Sequence, residues 1–207
     1  MRVVSVKLSG NLKAAEGVYR IEFSDGSLFS LKSVYVPSDY YPEVLCVADK
    51  ILSSQEEEAL RFAASCLRAE KQALGLVARA EQSSRGLSCK LVQRGHTTSC
   101  VQRVVSHLIE QGMVNDHRYA QLWLQARIAR KLESPRYLIT ALRCRGIERN
   151  IAQEALNGVL DFDTEWALLN RYLARNHLVI DGSDTNIRQK LKYEGFSAQV
   201  LEALEEG

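Results

Sequence analysis

Three glycines recur at nearly equal spacing in the second half of the chain. Gly95, Gly146 and Gly195 lie 51 and 49 residues apart. Apolar side chains stand eight and four residues before each glycine, and five and nine residues after it. In that order the sets are Leu87, Leu138 and Ile187; Leu91, Leu142 and Leu191; Cys100, Ile151 and Val200; Val104, Ala155 and Leu204. A period of this length with helical spacing predicts three tandem copies of one helical unit.

The middle copy, from Asp116 to Leu156, shows what the unit contains. Its first helix carries an apolar stripe that we expect to be buried, formed by Tyr119, Leu122, Trp123, Ala126 and Ile128. A second helix is predicted to begin at Ser134-Pro135, because serine caps a helix and proline fits its first turn. Gly146 is expected to end that helix in a left-handed conformation. The unit is therefore predicted to be three short helices.

The first forty residues have a different pattern. Residues 2–8, 17–23 and 28–36 alternate apolar and polar side chains, which is typical of half-buried strands, and Ser24-Asp25-Gly26 predicts a tight turn. A short helix is expected over 43–52. A longer one follows over 56–81, for which Ser54 and Glu57 match a capping box and within which Gly75 is a candidate break.

These patterns together predict a mainly α protein. We expect three three-helix repeats in an elongated, curved array, preceded by a small N-terminal antiparallel β element. The expected division is a β-rich element over 1–42, connecting helices over 43–68, and repeats over 69–114, 115–160 and 161–207.

Apolar runs and cysteine usage indicate the cellular compartment in which we expect the protein. The chain has no run of eighteen apolar residues, and no basic start followed by an apolar block. Its five cysteines are odd in number and scattered, which favours buried thiols over a disulfide framework. We therefore expect a cytoplasmic protein with no membrane association.

Charge is distributed unevenly along the chain. Residues 79–149 carry thirteen basic and five acidic side chains, a net of +8, whereas the flanking segments carry −1 and −5. This basic middle predicts an anionic partner, although single arginines on a helix are more often solvated. Arginine binds phosphates and acidic side chains alike, so the charge does not distinguish DNA from an acidic protein groove as the partner. The candidate binding residues are Arg85, Lys90, Arg94, Arg127, Arg130, Lys131, Arg136, Arg143, Arg145 and Arg149.

The sequence offers little to a catalytic or metal site. It contains no P-loop, no glycine-rich dinucleotide motif after a strand and no carboxylate pair in a recognisable setting. His96 and Cys100 have ligand-like spacing, but Cys100 occupies a repeated core position and no second ligand pair follows. We therefore expect a protein that is not an enzyme and that needs no cofactor or metal.

The middle copy also carries an ordered series of motifs. They read DxxYAxxWxxxR (Asp116, Tyr119, Ala120, Trp123, Arg127), SPxxL (Ser134, Pro135, Leu138) and RGI (Arg145, Gly146, Ile147). In this series the chain resembles the RecX family of regulatory proteins. The resemblance implies tandem three-helix repeats that bind the RecA filament on single-stranded DNA. It also implies inhibition of strand exchange, ATP hydrolysis and repressor cleavage, by a protein that we expect to be a monomer.

We interpret the signature residues as structural. Tyr119 and Trp123 could stack on bases, but aromatic residues inside an apolar stripe are more often core, and Asp116 is expected to cap its own helix. The structural set is Asp116, Tyr119, Trp123, Pro135, Gly95, Gly146 and Gly195.

Two positions depart from the family pattern. Ser134 stands where glycine is more usual, and Glu194 replaces a basic residue before the third glycine. The alternative function is a stand-alone nucleic-acid-binding protein, because three-helix units with a basic second helix are similar to helix-turn-helix readers.

Overall fold

The computed structural model describes residues 2–9, 17–40, 47, 49–131, 133–178 and 185–206. Its strands are β1 (Val3–Ser9), β2 (Val18–Phe23) and β3 (Leu28–Lys32). Its helices are α1 (Ser54–Val77), α2 (Ser84–Gln93), α3 (Thr98–Glu110), α4 (Asp116–Arg130), α5 (Pro135–Cys144), α6 (Arg149–Val159), α7 (Phe162–Arg175), α8 (Thr185–Tyr193) and α9 (Ala198–Glu206). The prediction of a mainly helical repeat protein with a small β element is confirmed.

The chain forms two compact units. The first holds the described residues up to Ala80 together with Leu87–Met113, and the second holds Glu81–Gly86 and the residues from Val114 onward. The first turn of helix α2 therefore belongs to the second unit, and the rest of that helix belongs to the first.

In the first unit, the three strands form an antiparallel sheet in the order β1-β2-β3. The predicted turn is confirmed, since Gly26 has a φ of 80° and the Asp25 carboxylate accepts hydrogen bonds from Ser27. Those bonds hold the pKa of Asp25 below its usual value. The third strand is shorter than predicted, because Ser33–Tyr35 turns into a 3-10 helix.

The sheet docks on helices through apolar side chains and one buried charged cluster. Ile21, Phe23 and Leu31 are almost fully buried. Beside them Lys32 Nζ lies 2.8 Å from Glu70 Oε1 on α1 and 3.3 Å from His107 Nε2 on α3. A three-stranded sheet needs such a packing partner to be stable.

Helix α1 is continuous through Gly75, so the candidate break is not used. Its capping box uses Ser53 and Glu56, one residue before the predicted pair. Lys50 Nζ also lies 2.8 Å from Glu56 Oε1. This contact is the main cause that lowers the pKa of Glu56 to about 2, and the capping bonds are a further cause. Glu57 pairs instead with Arg61 one turn along the helix. The short helix expected over 43–52 lies largely outside the described residues, and 49–52 are not helical.

The repeat turns follow the prediction closely. Gly95, Gly146 and Gly195 have φ values of 87°, 86° and 89°, a left-handed conformation that favours glycine. The residues four positions before them are all buried. Ser134 caps α5 through its Oγ, and Pro135 is the first helical residue, as expected.

Helix α4 corrects the predicted stripe. Its buried residues are Ala120, Leu124 and Ile128, spaced four apart. Leu122 is 49% exposed, and Tyr119 and Trp123 pack on the edge of the core rather than inside it. Apolar residues occur on several sides of this helix, so periodicity alone did not select the buried face.

Carboxylates on one repeat hold helix starts on another within the second unit. The predicted role of Asp116 is wrong: Asn115 caps α4, whereas the Asp116 carboxylate accepts bonds from Ser84 N at 2.7 Å and Ser84 Oγ at 2.6 Å. The Glu194 carboxylate accepts a bond from Ser134 Oγ at 2.5 Å, and its backbone carbonyl accepts one from Arg136 N. The two unusual residues, Ser134 and Glu194, are thus partners in one inter-repeat contact.

Candidate partner-binding surface

Two of the predicted basic residues hold the second repeat together. The Arg127 and Arg145 guanidinium carbons lie 5.6 and 4.5 Å from the centre of the Trp123 ring. Arg127 also donates two hydrogen bonds of 2.6 Å to the Glu133 carboxylate, which raises the pKa of its guanidinium. Arg145 Nη1 donates to the Ala141 carbonyl. These side chains brace the end of α4 against the following loop and α5.

Arg136 is held by the third repeat. Its guanidinium lies 3.6 Å from the centre of the Tyr193 ring, and its backbone N–H donates to the Glu194 carbonyl. The Arg136 side chain is nevertheless exposed, so its charge is open to solvent.

A second group of arginines lines a groove at the turn between α5 and α6. Arg85, Arg143 and Arg149 are all exposed and surround an open space of about 670 Å³, together with Thr140, Cys144, Gly146, Ile147, Glu148 and Asn150. None of the three guanidinium groups has a hydrogen bond or ion pair with any residue that the structure describes. We call Arg85, Arg143 and Arg149 the arginine groove.

The groove exists because of a contact between repeats. The aliphatic stem of Arg85 lies against the Gly146 backbone, so close that a Cβ added at Gly146 would stand 2.6 Å from Arg85 Cβ. Gly195 makes a looser contact of this kind, since a Cβ added there would stand 3.3 Å from the backbone nitrogen of Arg136. Arg85 and Arg136 each stand ten residues before the glycine of their own repeat. The starts of α2 and α5 therefore pack on the glycine turn of the repeat that follows each of them.

The remaining candidates are not among the residues that line this groove. Arg130 ends α4, Lys131 follows it, and both are exposed. Lys90 and Arg94 are exposed in the first unit. Among the candidates, the structure thus brings together Arg85, Arg143 and Arg149.

The prediction grouped these residues by charge alone and did not find the groove. It placed Arg85 in the first repeat, whereas Arg85 packs on the second. The shared ten-residue offset of Arg85 and Arg136 from a glycine was the available signal.

Chemically, the arginine groove is suited to anions. Three guanidinium groups with no internal partner among the described residues offer planar pairs of N–H donors to phosphate or carboxylate oxygens. Thr140 and Asn150 add neutral polar groups at the rim, and Glu148 is its single acidic residue in the described lining. None of the described helices has the length and apolar character needed to cross a membrane.

Comparisons with known proteins agree with this architecture. Residues 115–156, which contain α4 to α6 in large part, match the family model "RecX, second three-helix domain". "Regulatory protein RecX" of Treponema pallidum is 31% identical over 123 residues, which are 59% of this chain and 75% of that protein. The protein of the same name from Mycobacterium tuberculosis is 31% identical over 136 residues, 64% of this chain and 72% of that one.

Solved structures are similar in fold. One, described as a crystal structure of regulatory protein RecX, has a TM-score of 0.64 at 18% identity and covers 100% of this chain and 99% of its own. RecX from Lactobacillus salivarius has a TM-score of 0.53 at 20% identity, over 70% of this chain and 96% of that one.

Proposed function

The chain belongs to the RecX family of regulatory proteins, and from this premise we propose that it binds the RecA filament on single-stranded DNA and inhibits RecA. The inhibited activities would be strand exchange, ATP hydrolysis and repressor cleavage. We propose that it acts in the cytoplasm as a monomer, with residues 69–114, 115–160 and 161–207 as its three repeats.

One structural observation supports this proposal most directly. The arginine groove presents three exposed guanidinium groups that no described residue of the chain neutralises. A filament of protein on DNA offers both phosphates and acidic side chains, and arginine binds either in a bidentate manner. Arg130 and Lys131 would add charge beyond the groove, while Arg127 and Arg145 would keep its supporting helices in place.

The proposed mechanism is steric and electrostatic. A helical protein bound along the filament would obstruct the entry of duplex DNA. By contacting neighbouring RecA subunits, it would also hinder the rearrangement that ATP turnover requires. The groove arginines would supply the charge that attracts and orients the protein.

The double variant R143E/R149E tests this role of the groove. Both side chains are exposed and make no described polar contact, so the fold should be kept while two charges are reversed. We expect binding to RecA filaments assembled on dye-labelled single-stranded DNA to weaken by about tenfold or more. Fluorescence anisotropy at fixed salt measures the change.

A matched control is K190E/K192E, which reverses the same amount of charge near the end of α8 in the third repeat. The control should bind filaments nearly as the wild type does. If both variants bind like the wild type, the arginine groove is not the contact surface. If R143E/R149E loses bare DNA and filament equally, with a steep salt dependence, the protein is a stand-alone nucleic-acid binder.

A further inference from the structure

The first unit contains a second basic groove, between β3 and α1. It encloses about 680 Å³, a volume in the range of ligand-binding clefts, and it is lined by Leu28, Phe29, Ser30, Arg61, Ala64, Ser65, Leu67, Arg68 and Lys71. This described lining includes three cations and no acidic side chain. Arg68 and Lys71 are exposed, and Lys71 has no polar partner among the residues that the structure describes.

One wall of this groove is the outer edge of the sheet. Leu28, Phe29 and Ser30 all line the groove, and consecutive residues of a strand point to opposite faces of the sheet, so we infer that the groove runs along the edge of β3. β3 is the last strand in the order β1-β2-β3, and it pairs only with β2 within the described sheet. Leu28 is 61% exposed there.

In an antiparallel pair, only every second residue of a strand bonds to its neighbour, and this alternation shows which backbone groups of β3 face the groove. Phe23 N donates to Ser27 O, and Ser33 N donates to Gly17 O, so the odd-numbered residues of β3 bond to β2. The N–H and C=O groups of Leu28 and Ser30 therefore point away from β2. Neither residue has another hydrogen-bond partner among the described residues. This edge offers donors and acceptors together.

The other wall supplies positive charge at fixed spacing. Arg61, Arg68 and Lys71 extend along about 15 Å of helix α1, which matches four to five residues of an extended chain. Arg61 is held by Glu57 and lies 5.2 Å from the centre of the Phe29 ring, which fixes one end of the groove. Arg68 donates to Ser65 and retains further donors for a ligand.

We propose that this groove binds an extended acidic polypeptide segment, which adds a strand to β3 and directs its carboxylates at Arg68 and Lys71. A strand edge favours peptide over nucleic acid, because a peptide backbone alternates N–H donors and C=O acceptors at the spacing of the edge, whereas a phosphodiester backbone offers only acceptors. The site lies wholly in the first unit, and the inference does not depend on the arginine groove or on RecA.

The test uses a dye-labelled decapeptide of alternating Glu and Val with the full-length protein, measured by fluorescence anisotropy. We expect saturable binding that R68E/K71E weakens by about tenfold or more, because both exposed cations would then repel the peptide. The K190E/K192E variant carries the same charge change outside this groove and should bind the peptide as the wild type does.

Backbone pairing is tested by changing the peptide and not the protein, so the result does not depend on the folding of a protein variant. Two forms of the decapeptide are N-methylated at every second residue, in opposite registers. Because alternate N–H groups of a strand face the same way, one form should lose binding and the other should keep it. Equal binding of both forms would overturn strand addition, and absence of peptide binding would overturn the site. Displacement of the peptide by oligothymidylate, with tighter binding in this groove, would assign the groove to nucleic acid.

Discussion

Replacing Glu70 by leucine is expected to destabilise the first unit by about 3–5 kcal/mol. The Glu70 side chain is 6% exposed and lies 2.8 Å from Lys32 Nζ, whose own side chain is 13% exposed. Loss of the carboxylate removes the charged partner that the Lys32 ammonium has on α1, at a site where that ammonium is mostly buried beside His107. Since Lys32 comes from β3 and Glu70 from α1, the sheet should lose its attachment to the helix first. Urea unfolding followed by circular dichroism measures the change.

The double variant K32M/E70L separates lost charge pairing from lost packing. It removes both charges and keeps similar apolar volume, so it should recover most of the lost stability. Glu57→Gln removes a partly exposed partner of Arg61 on the same helix and should have a much smaller effect. If E70L unfolds at the same urea concentration as the wild type, the buried cluster does not hold the sheet to the helices.

Replacing Gly146 by alanine is expected to destabilise the second unit by about 3 kcal/mol. The φ of 86° is strained for any residue with a Cβ. The added methyl group would also stand 2.6 Å from Arg85 Cβ, so the first turn of α2 would have to move. We expect a lower thermal midpoint and weaker filament binding, because the arginine groove is built on this contact.

Gly95→Ala is the matched control, since Gly95 has nearly the same φ but its added Cβ would meet open space. It should lose only the conformational part, about 1–2 kcal/mol. Arg85→Gly should restore part of the stability of Gly146→Ala by removing the overlapping stem. Equal losses at the two glycines would show that the Arg85 contact contributes nothing.

The periodic features of the fold could be predicted because each is encoded within one helix or turn. The three glycines mark the left-handed turns, and the apolar offsets mark buried positions such as Leu91, Leu142 and Leu191. Alternation predicted the sheet for the same reason. Periodicity was less informative on α4, where apolar residues on several sides left the buried face undecided.

Contacts between repeats could not be predicted from these patterns. Asp116 was the expected cap of α4, but it binds Ser84, 32 residues earlier in the chain. Such a pair joins the first residues of two different helices, α2 and α4, and no helical period relates its members. For the same reason, Glu194 looked like a departure until its contact with Ser134 explained it.

The candidate site was predictable in charge but not in arrangement. The surplus of arginine in residues 79–149 can be read from the sequence, whereas the role of each arginine depends on the residues that lie next to it in the structure. Glu133 and Trp123 engage Arg127, while Arg143 and Arg149 stay open. The sequence therefore predicts the surplus of arginine, but only the structure shows which arginines stabilise the fold and which are open to a partner.

We propose that this protein acts on the RecA filament, and the decisive measurement is the ATPase activity of RecA on single-stranded DNA. The protein is titrated in below one copy for each RecA at fixed salt. We predict that ATP hydrolysis falls at these low ratios, with R143E/R149E inhibiting more weakly than K190E/K192E. If hydrolysis falls only when the protein is abundant enough to cover the DNA, simple competition for the strand explains the effect, and filament regulation by this chain is contradicted.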